Sequence, residues 1–283
     1  MYMSSQPQFH RARHVDRVEN GISERDGSGT RRVRILGTAD FDRLDPFLLF
    51  EAFGSDGPVV TAPDSPLSPY RGFETLTYVT DGRVRHIDDI AGEHCIGAGE
   101  ALWMTAGRGL RQTDRLEAGS VQGFQLWLNL PRDAKMQAPV HRAVEATDIP
   151  AVIFRTAEVK VLAGRYYGLL GPIASPATQP FIADVSLRCE GEVTLDIPDD
   201  HEGLVYVFSG GGVAIEQTLV HPGQAGVLSG GNVLNLVAGA DGARVLVATA
   251  RPLKEPVARH GPFVMNTAQD LSQAFKDYQN GTF

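Results

Sequence analysis

Apolar and polar residues alternate along many short stretches of this chain, and glycine or proline usually ends each stretch. Residues 74–82 and residues 202–210 share the pattern Glu-x-Leu-x-Tyr-Val-x-x-Gly. Alternation with a period of two is typical of a β-strand that buries one face, and Asp81-Gly82 favours a hairpin turn. We therefore predict an internal duplication in which each copy consists of strands joined by turns.

The same alternation predicts further strands at residues 83–88, 101–105, 121–129, 181–188, 213–217 and 244–250. The chain contains 31 glycines and 17 prolines, which favour many turns. We therefore predict an all-β chain arranged as two antiparallel barrels or sandwiches. The polar stretch 130–150 contains three prolines and suits a connection between them. The predicted domains are residues 1–150 and 151–283.

The end of the chain has a different pattern. Thr267 followed by Asp270 predicts a helix N-terminus, and Gly281 predicts its end. Between them, apolar residues recur at helical spacing: Leu271, Ala274, Phe275 and Tyr278. We predict a short C-terminal helix that packs back onto the protein; a partner-binding helix is the less favoured alternative.

Acidic residues outnumber basic ones, with Asp+Glu 34 against Lys+Arg 26 and a formal net charge of −8. This charge repels phosphate groups at long range, so we expect no direct nucleic-acid partner. Arg31, Arg32 and Arg34 form a local basic stretch. Because Arg32 and Arg34 alternate with Val33 and Ile35, we interpret them as the solvent-exposed face of a strand.

Cysteine usage and hydropathy indicate the compartment. Cys95 and Cys189 lie far apart and form no CxxC pair, so neither a disulfide framework nor a zinc knuckle is predicted. The first twenty residues are polar and lack the apolar core of a signal peptide. No later stretch is apolar for long enough to cross a bilayer. We therefore expect a cytoplasmic protein without membrane contact.

Four blocks carry a family resemblance: Arg71-Gly72-Phe73-Glu74-Thr75, residues 103–109 (WMTAGRG), residues 125–131 (QLWLNLP) and residues 261–267 (GPFVMNT). They resemble the pirin family of the cupin superfamily. The resemblance implies a bicupin fold, in which two cupin barrels lie side by side, with iron or another divalent metal in the N-terminal barrel. It also implies either quercetin 2,3-dioxygenase-like activity or a redox-responsive regulatory role.

The chain departs from the family at the metal-ligand positions. Where the family has two histidines before Arg-Gly-Phe-Glu-Thr, this chain has Ser68 and Tyr70, and Gln112 and Asp114 replace a later histidine and glutamate. A hydroxyl, a phenol and an amide are weak ligands at neutral pH, so only Asp114 stays a credible one. We therefore predict that no metal is bound at these positions and that the protein needs no cofactor.

The remaining histidines give no second site on sequence grounds alone. His86 and Asp88 lie two residues apart, and we interpret them as a hydrogen-bonded pair on the surface or at the barrel rim. A relocated metal site is the less favoured alternative. The other histidines are scattered singly and are assigned no chemistry: His94, His141, His201, His221 and His260.

Two functions remain open. The first is a metal-free pirin-like protein that binds a small ligand, such as an aromatic compound, or a protein partner. The second is an enzyme, either quercetinase-like or cofactor-independent, that uses the pocket of the N-terminal barrel. In that alternative Tyr70, Gln112 and Asp114 are the candidate acid, orienting amide and base.

Overall fold

A computed structural model describes residues 10–25, 30–55, 66–117 and 119–283. The strands before residue 145 are β1 (Val15–Asn20), β2 (Ile22–Arg25), β3 (Arg31–Leu36), β4 (Phe47–Ser55), β5 (Ser68–Tyr70), β6 (Phe73–Asp81), β7 (Arg83–Asp88), β8 (Gly92–Gly97), β9 (Ala101–Thr105), β10 (Leu110–Leu116), β11 (Val121–Asn129) and β12 (Val140–Val144). After a short 3-10 turn at Ala146–Asp148, the elements are β13 (Ala151–Ile153), β14 (Ala157–Ala163), β15 (Arg165–Tyr166), β16 (Leu169–Leu170), β17 (Phe181–Leu187), β18 (Glu192–Asp196), β19 (Glu202–Gly210), β20 (Val213–Ile215), β21 (Thr218–Val220), β22 (Gln224–Leu228), β23 (Val233–Ala238), β24 (Ala243–Ala250), β25 (Ala258–His260), β26 (Phe263–Met265) and the helix α1 (Ala268–Gln279). The all-β class with a short C-terminal helix is confirmed.

The chain forms two compact units. Unit N comprises Gly21–Ile149, Pro172–Gln179 and Arg251–Phe283, and unit C comprises the described residues up to Asn20 together with Pro150–Gly171 and Pro180–Ala250. Each unit therefore contains segments from both sides of residue 150. The division into separately folding domains at residue 150 remains a prediction.

The sequence duplication corresponds to equivalent places in two sheets. In unit N the seven-stranded antiparallel sheet has the order β12-β9-β6-β11-β4-β3-β2. In unit C the order is β1-β22-β19-β24-β17-β14-β13. The two copies of the repeated pattern, β6 and β19, thus each lie between two neighbours of the same sheet, where both edges of the strand are hydrogen-bonded.

Each unit closes its core with a second, four-stranded sheet. In unit C its order is β18-β23-β20-β21, and its Leu195 and Leu236 share one buried aliphatic cluster with Val159, Val205 and Val245 of the larger sheet. Burial of each such side chain contributes roughly 1.5–3 kcal/mol. The core of unit C is therefore aliphatic and packed between its two sheets.

The small sheet of unit N has the order β5-β10-β7-β8. Its Val84 and Leu116 pack against Phe53, Val79 and Leu102 of the larger sheet. Because side chains on a strand alternate between faces, burial of Val84 on β7 determines which residues of that strand also face the interior. Every second residue after Val84 therefore points between the two sheets of unit N.

Helix α1 follows the predicted capping pattern. The Thr267 side chain accepts a hydrogen bond from the Asp270 backbone N–H at 3.1 Å, and Gly281 has a positive φ of 70° past the C-terminus. The helix packs within unit N, where Ala274 and Phe275 join a cluster with Phe263. In the described part of the chain, this helix falls short of the length and apolar character that crossing a membrane requires.

Candidate functional site

The positions that the family resemblance singled out lie together in unit N. A cavity of about 400 Å³ has Ser68, Tyr70, Gln112 and Asp114 among its lining residues. Strand pairing explains the grouping, because β5 and β10 are antiparallel neighbours with Ser68 opposite Gln112. A two-residue step along β10 then brings Asp114 to the same face. Whether these side chains act in catalysis remains a prediction.

Aromatic rings form one wall of this cavity. Tyr70 on β5 and Trp127 on β11 meet edge to face, with ring centroids 5.3 Å apart. The guanidinium carbon of Arg259 lies 5.2 Å from the Trp127 ring centroid, and its Nη1 donates to the Leu48 carbonyl at 2.8 Å. The wall thus offers flat apolar faces next to a fixed positive charge.

A second wall is strongly charged. Arg32 and Arg34 on β3 bind opposite oxygens of the buried Glu51 carboxylate, at 2.6 and 2.9 Å. Both arginines line the cavity, and their side chains are 37% and 43% exposed, so the predicted exposed face of β3 also forms a cavity wall. The reason is tertiary, since β4 places Glu51 opposite Arg34. Arg259 is the third arginine in the cavity lining, and Glu51 and Asp114 are its two carboxylates.

Hydrogen bonds hold Asp114 from two sides. The Trp127 Nε1–H group donates to Gln125 Oε1 at 3.1 Å, which turns the Gln125 Nε2 group toward Asp114. That Nε2 donates to Asp114 Oδ2 at 2.9 Å. On the other side, Asp114 Oδ1 lies 2.7 Å from His86 Nδ1. Both carboxylate oxygens therefore have partners within the protein.

The four family positions do not fit a metal ion. Burial raises the pKa of the Tyr70 phenol well above its usual range, and the negative charge of Asp114 adds to this effect. Tyr70 consequently stays protonated at neutral pH and is a poor ligand. Ser68 is exposed and Gln112 offers an amide, so Asp114 is the one credible ligand, and a single carboxylate does not make an iron site. The absence of a metal at these four positions remains a prediction from this chemistry.

His86 and Asp88 lie in the interior, which corrects their interpretation as a surface or rim pair. Their side chains are 2% and 0% exposed. They follow Val84 at two-residue steps on β7, so all three side chains lie on the same face of the strand. Because Val84 is buried in the core, this face points into the interior. The alternation of β7 was the available sequence signal, but it could not say which face of the strand is buried.

His141 joins this pair from the other sheet. It lies on β12, which pairs with β9 at the edge of the seven-stranded sheet. Its Nε2 is 3.2 Å from Asp88 Oδ2, and His86 Nε2 is 3.3 Å from the same oxygen. His94 on β8 lies directly opposite His86. We call His86, Asp88, His94 and His141 the histidine cluster.

The cluster has an unusual balance of charge. Burial alone would lower the pKa of His86, but the hydrogen bond and charge of Asp114, together with Asp88, outweigh burial and raise it. Burial would raise the pKa of Asp88, yet hydrogen bonds from the Ala91 and Ile90 backbone hold it below its ordinary value. Burial lowers the pKa of His141. Asp88 is therefore ionised at neutral pH and His141 is neutral.

The other histidines lie elsewhere. His201 and His221 belong to unit C, where His201 Nδ1 is 3.2 Å from Thr249 Oγ1. His260 contacts the Phe275 ring of α1, with centroids 5.2 Å apart. Assigning no chemistry to His94 and His141 overlooked their place in the cluster. Sequence reasoning missed His141 because β12 is distant from β7 along the chain. His94 lies on the next strand, and the pairing of β7 with β8 was the signal that could have placed it opposite His86.

Comparison with known proteins gives the family. A model of the pirin family matches residues 29–128, and a model of the pirin C-terminal cupin domain matches residues 182–283. This chain belongs to the pirin family. A protein from Pseudomonas aeruginosa, provisionally named as a quercetin 2,3-dioxygenase, is 36% identical to it, with 96% of this chain and 98% of that protein aligned.

Solved structures support the bicupin fold. A quercetin 2,3-dioxygenase from Acinetobacter baumannii is 28% identical, with a TM-score of 0.85 over 96% of this chain and 99% of that one. A bacterial pirin from Escherichia coli, solved in complex with nickel(II), is 14% identical and has a TM-score of 0.64. The alignment covers 83% of this chain and 98% of that protein. The predicted bicupin fold is confirmed, and metal-binding proteins are among its structural neighbours.

Proposed function

We propose that the cavity of unit N binds a small aromatic compound that carries an acidic phenol or a carboxylate, without a metal at the four family positions. One observation carries the proposal: Tyr70 and Trp127 present aromatic faces beside three arginines in one cavity. Pockets for small molecules are typically apolar with a few placed polar groups, and 400 Å³ lies within their usual range. A planar ring with one negative group matches this combination.

Charge supports the same ligand class. The whole chain has a formal net charge of −8, whereas the cavity lining has one more arginine than carboxylate. A locally positive cleft in an acidic protein concentrates field lines and attracts an anion. Arg32 and Arg34 keep Glu51 neutralised, so that carboxylate repels an anionic ligand less than its formal charge suggests. A flavonol such as quercetin, which is planar and has acidic phenols, is the first ligand to test.

The binding proposal predicts a specific loss in Arg34→Gln. We expect quercetin to quench Trp127 fluorescence and this variant to bind quercetin about tenfold more weakly, because a charged partner is lost. Arg31→Gln is the matched control, since it makes the same charge change on β3 outside the cavity lining. Equal weakening by both substitutions would argue against a cavity-bound anion.

Oxidation of the bound compound is the second candidate function. The names of the two quercetin 2,3-dioxygenases among the similar proteins favour it, as does the position of Asp114, which Gln125 and His86 hold at the cavity wall. The Asp114 carboxylate would accept the proton of a phenol, and the arginines would stabilise the anion that results. Dioxygen is then the second substrate and supplies the oxidising equivalents. Tyr70, protonated throughout, would donate a hydrogen bond.

This second candidate predicts that Asp114→Asn slows oxygen-dependent loss of quercetin by about 100-fold or more, because a general base contributes roughly that much. The loss is followed by the absorbance of quercetin with and without dioxygen. Asp89→Asn, an exposed carboxylate paired with Arg111, is the control and should leave the rate unchanged. Undiminished turnover in Asp114→Asn contradicts catalysis by this residue. Quercetin binding without any turnover leaves only the binding function.

A further inference from the structure

We propose that unit N binds a divalent first-row transition-metal ion at the histidine cluster, through His86 Nε2, Asp88 Oδ2 and His141 Nε2. These three atoms all lie within 4.8 Å of one another. They are separate from the four family positions. None of the three residues lines the cavity of the proposed function, and the two sites share one contact, between His86 Nδ1 and Asp114 at the cavity wall.

Unsatisfied buried atoms are the first argument. His86 Nε2, Asp88 Oδ2, His141 Nε2 and His94 Nε2 are all buried and, within the described part of the chain, have no partner with hydrogen-bond geometry. A buried polar group without a partner typically costs about 1–3 kcal/mol, so most are satisfied in native proteins. Four such atoms in one cluster need a common partner, and a cation satisfies three nitrogen lone pairs and a carboxylate together.

Spacing is the second argument. Ligand atoms bound at about 2.0–2.1 Å to a tetrahedral ion lie about 3.3–3.4 Å from one another. The observed separations of Asp88 Oδ2 from His86 Nε2 and His141 Nε2 are 3.3 and 3.2 Å. These two separations therefore match those between ligands of one ion, and the two histidine nitrogens lie within 4.8 Å of each other.

The supporting contacts also have the form of a metal site. Asp88 Oδ1 accepts backbone N–H bonds from Ile90 and Ala91 at 2.7 and 2.6 Å, which directs Oδ2 toward the cluster. His86 Nδ1 is bonded to Asp114, leaving Nε2 for an ion. A carboxylate on the distal nitrogen of a ligating histidine is a recurrent way to fix its ring and tautomer. Asp114 would thus position His86.

His94 is the natural fourth ligand. The ring centroids of His86, His94 and His141 form a nearly equilateral triangle with sides of 5.9, 6.2 and 6.4 Å. Three imidazoles around one carboxylate are a donor set suited to zinc, iron, cobalt or nickel rather than magnesium or calcium. The ligand atoms that lie within 4.8 Å of one another belong to the other three residues, so His94 would have to change its side-chain conformation to bind the same ion.

A metal-free explanation accounts for only part of the cluster. His86 could be an imidazolium between Asp114 and Asp88, as its raised pKa indicates in the absence of an ion. That arrangement gives His141 Nε2 and His94 Nε2 no role and leaves both buried without a partner.

The test is metal binding by the full-length protein. After removal of metal with a chelator, Co²⁺ is titrated while its visible absorption is recorded, and Zn²⁺ is then used in competition. We expect about one ion per chain, and about 100-fold weaker binding in both His141→Gln and Asp88→Asn. Tyr70→Phe, at a family ligand position, is the control and should keep the metal stoichiometry of the unchanged chain.

Each outcome is decisive. Tryptophan fluorescence and circular dichroism check that the variants are folded, and His94→Gln on β8 provides a further variant, with an expected loss of about tenfold. Anomalous X-ray scattering from a zinc-soaked crystal locates the ion without any substitution. Failure to bind either metal, undiminished binding in His141→Gln, or loss of the ion in Tyr70→Phe would overturn the proposal.

Discussion

Replacement of Gly72 by alanine is expected to lower the free energy of unfolding of unit N by about 3–5 kcal/mol. Gly72 has φ +87°, which a residue with a Cβ adopts only at a cost of roughly 1–2 kcal/mol. A Cβ built there would also lie 1.9 Å from the Val264 carbonyl oxygen, which is backbone and cannot rotate away. The alanine must therefore push two chain segments apart.

The surrounding contacts prevent an easy adjustment. The Val264 N–H donates to the Arg71 carbonyl at 3.0 Å, and the Gly72 N–H donates to the Gly107 carbonyl at 2.9 Å. The first bond holds the segment before β6 against β26, and the second holds it against the turn after β9. Displacement would break them, so the cost of the clash adds to the cost of the backbone conformation.

Gly92→Ala is the matched control for this prediction. Gly92 has φ +88°, almost the same conformation, but a Cβ there meets nothing within 4 Å. Gly92→Ala should therefore lower the free energy of unfolding by only about 1–2 kcal/mol, which is the cost of the backbone conformation. Both tryptophans of the chain, Trp103 and Trp127, belong to unit N, so urea unfolding followed by tryptophan fluorescence reports on this unit. Equal losses for the two alanines would contradict the steric argument.

Lys135→Met is expected to destabilise unit N by about 2–4 kcal/mol. Lys135 is 1% exposed. Its Nζ donates to the Gly72 carbonyl at 2.7 Å, to Asn129 Oδ1 at 2.6 Å and to the Val264 carbonyl at 3.1 Å. Methionine keeps much of the volume but leaves three buried acceptors without a donor. The same urea experiment measures the loss.

The contribution of Lys135 should also depend on pH. Burial lowers the pKa of its ammonium from the ordinary value of 10.5 to about 7 in the folded protein. Between these values the unfolded chain binds more protons, so stability rises with pH, by up to about 1.4 kcal/mol per pH unit. Comparing pH 7 with roughly pH 9 should therefore show a rise in the unchanged protein that Lys135→Met lacks.

The exposed Lys276 of α1 provides the control. Lys276→Met should change the free energy of unfolding by no more than about 1 kcal/mol and should preserve the rise with pH. A Lys135→Met variant as stable as the unchanged protein at pH 7 would show that the three acceptors find other partners. A rise with pH that survives the loss of Lys135 would assign it to another group.

The repeating pattern of the sequence was sufficient for the elements of the fold. Period-two alternation predicted strands at residues 83–88, 101–105 and 121–129, and these are β7, β9 and β11. The helix was equally predictable, because capping by Thr267 and a stop at Gly281 depend only on neighbouring residues. Local conformational preference determines such features, and no distant contact is needed.

Family blocks and residue chemistry also determined from sequence that Ser68, Tyr70, Gln112 and Asp114 replace the family's metal ligands. Only the tertiary structure decided what stands beside them. The sequence alone could not show that His141 on β12 lies next to Asp88 on β7. It also could not show that His86 shares the buried face of β7 with Val84. The physical reason is that alternation fixes which residues share a face, whereas the packing of two sheets decides which face is buried and which distant strands meet there.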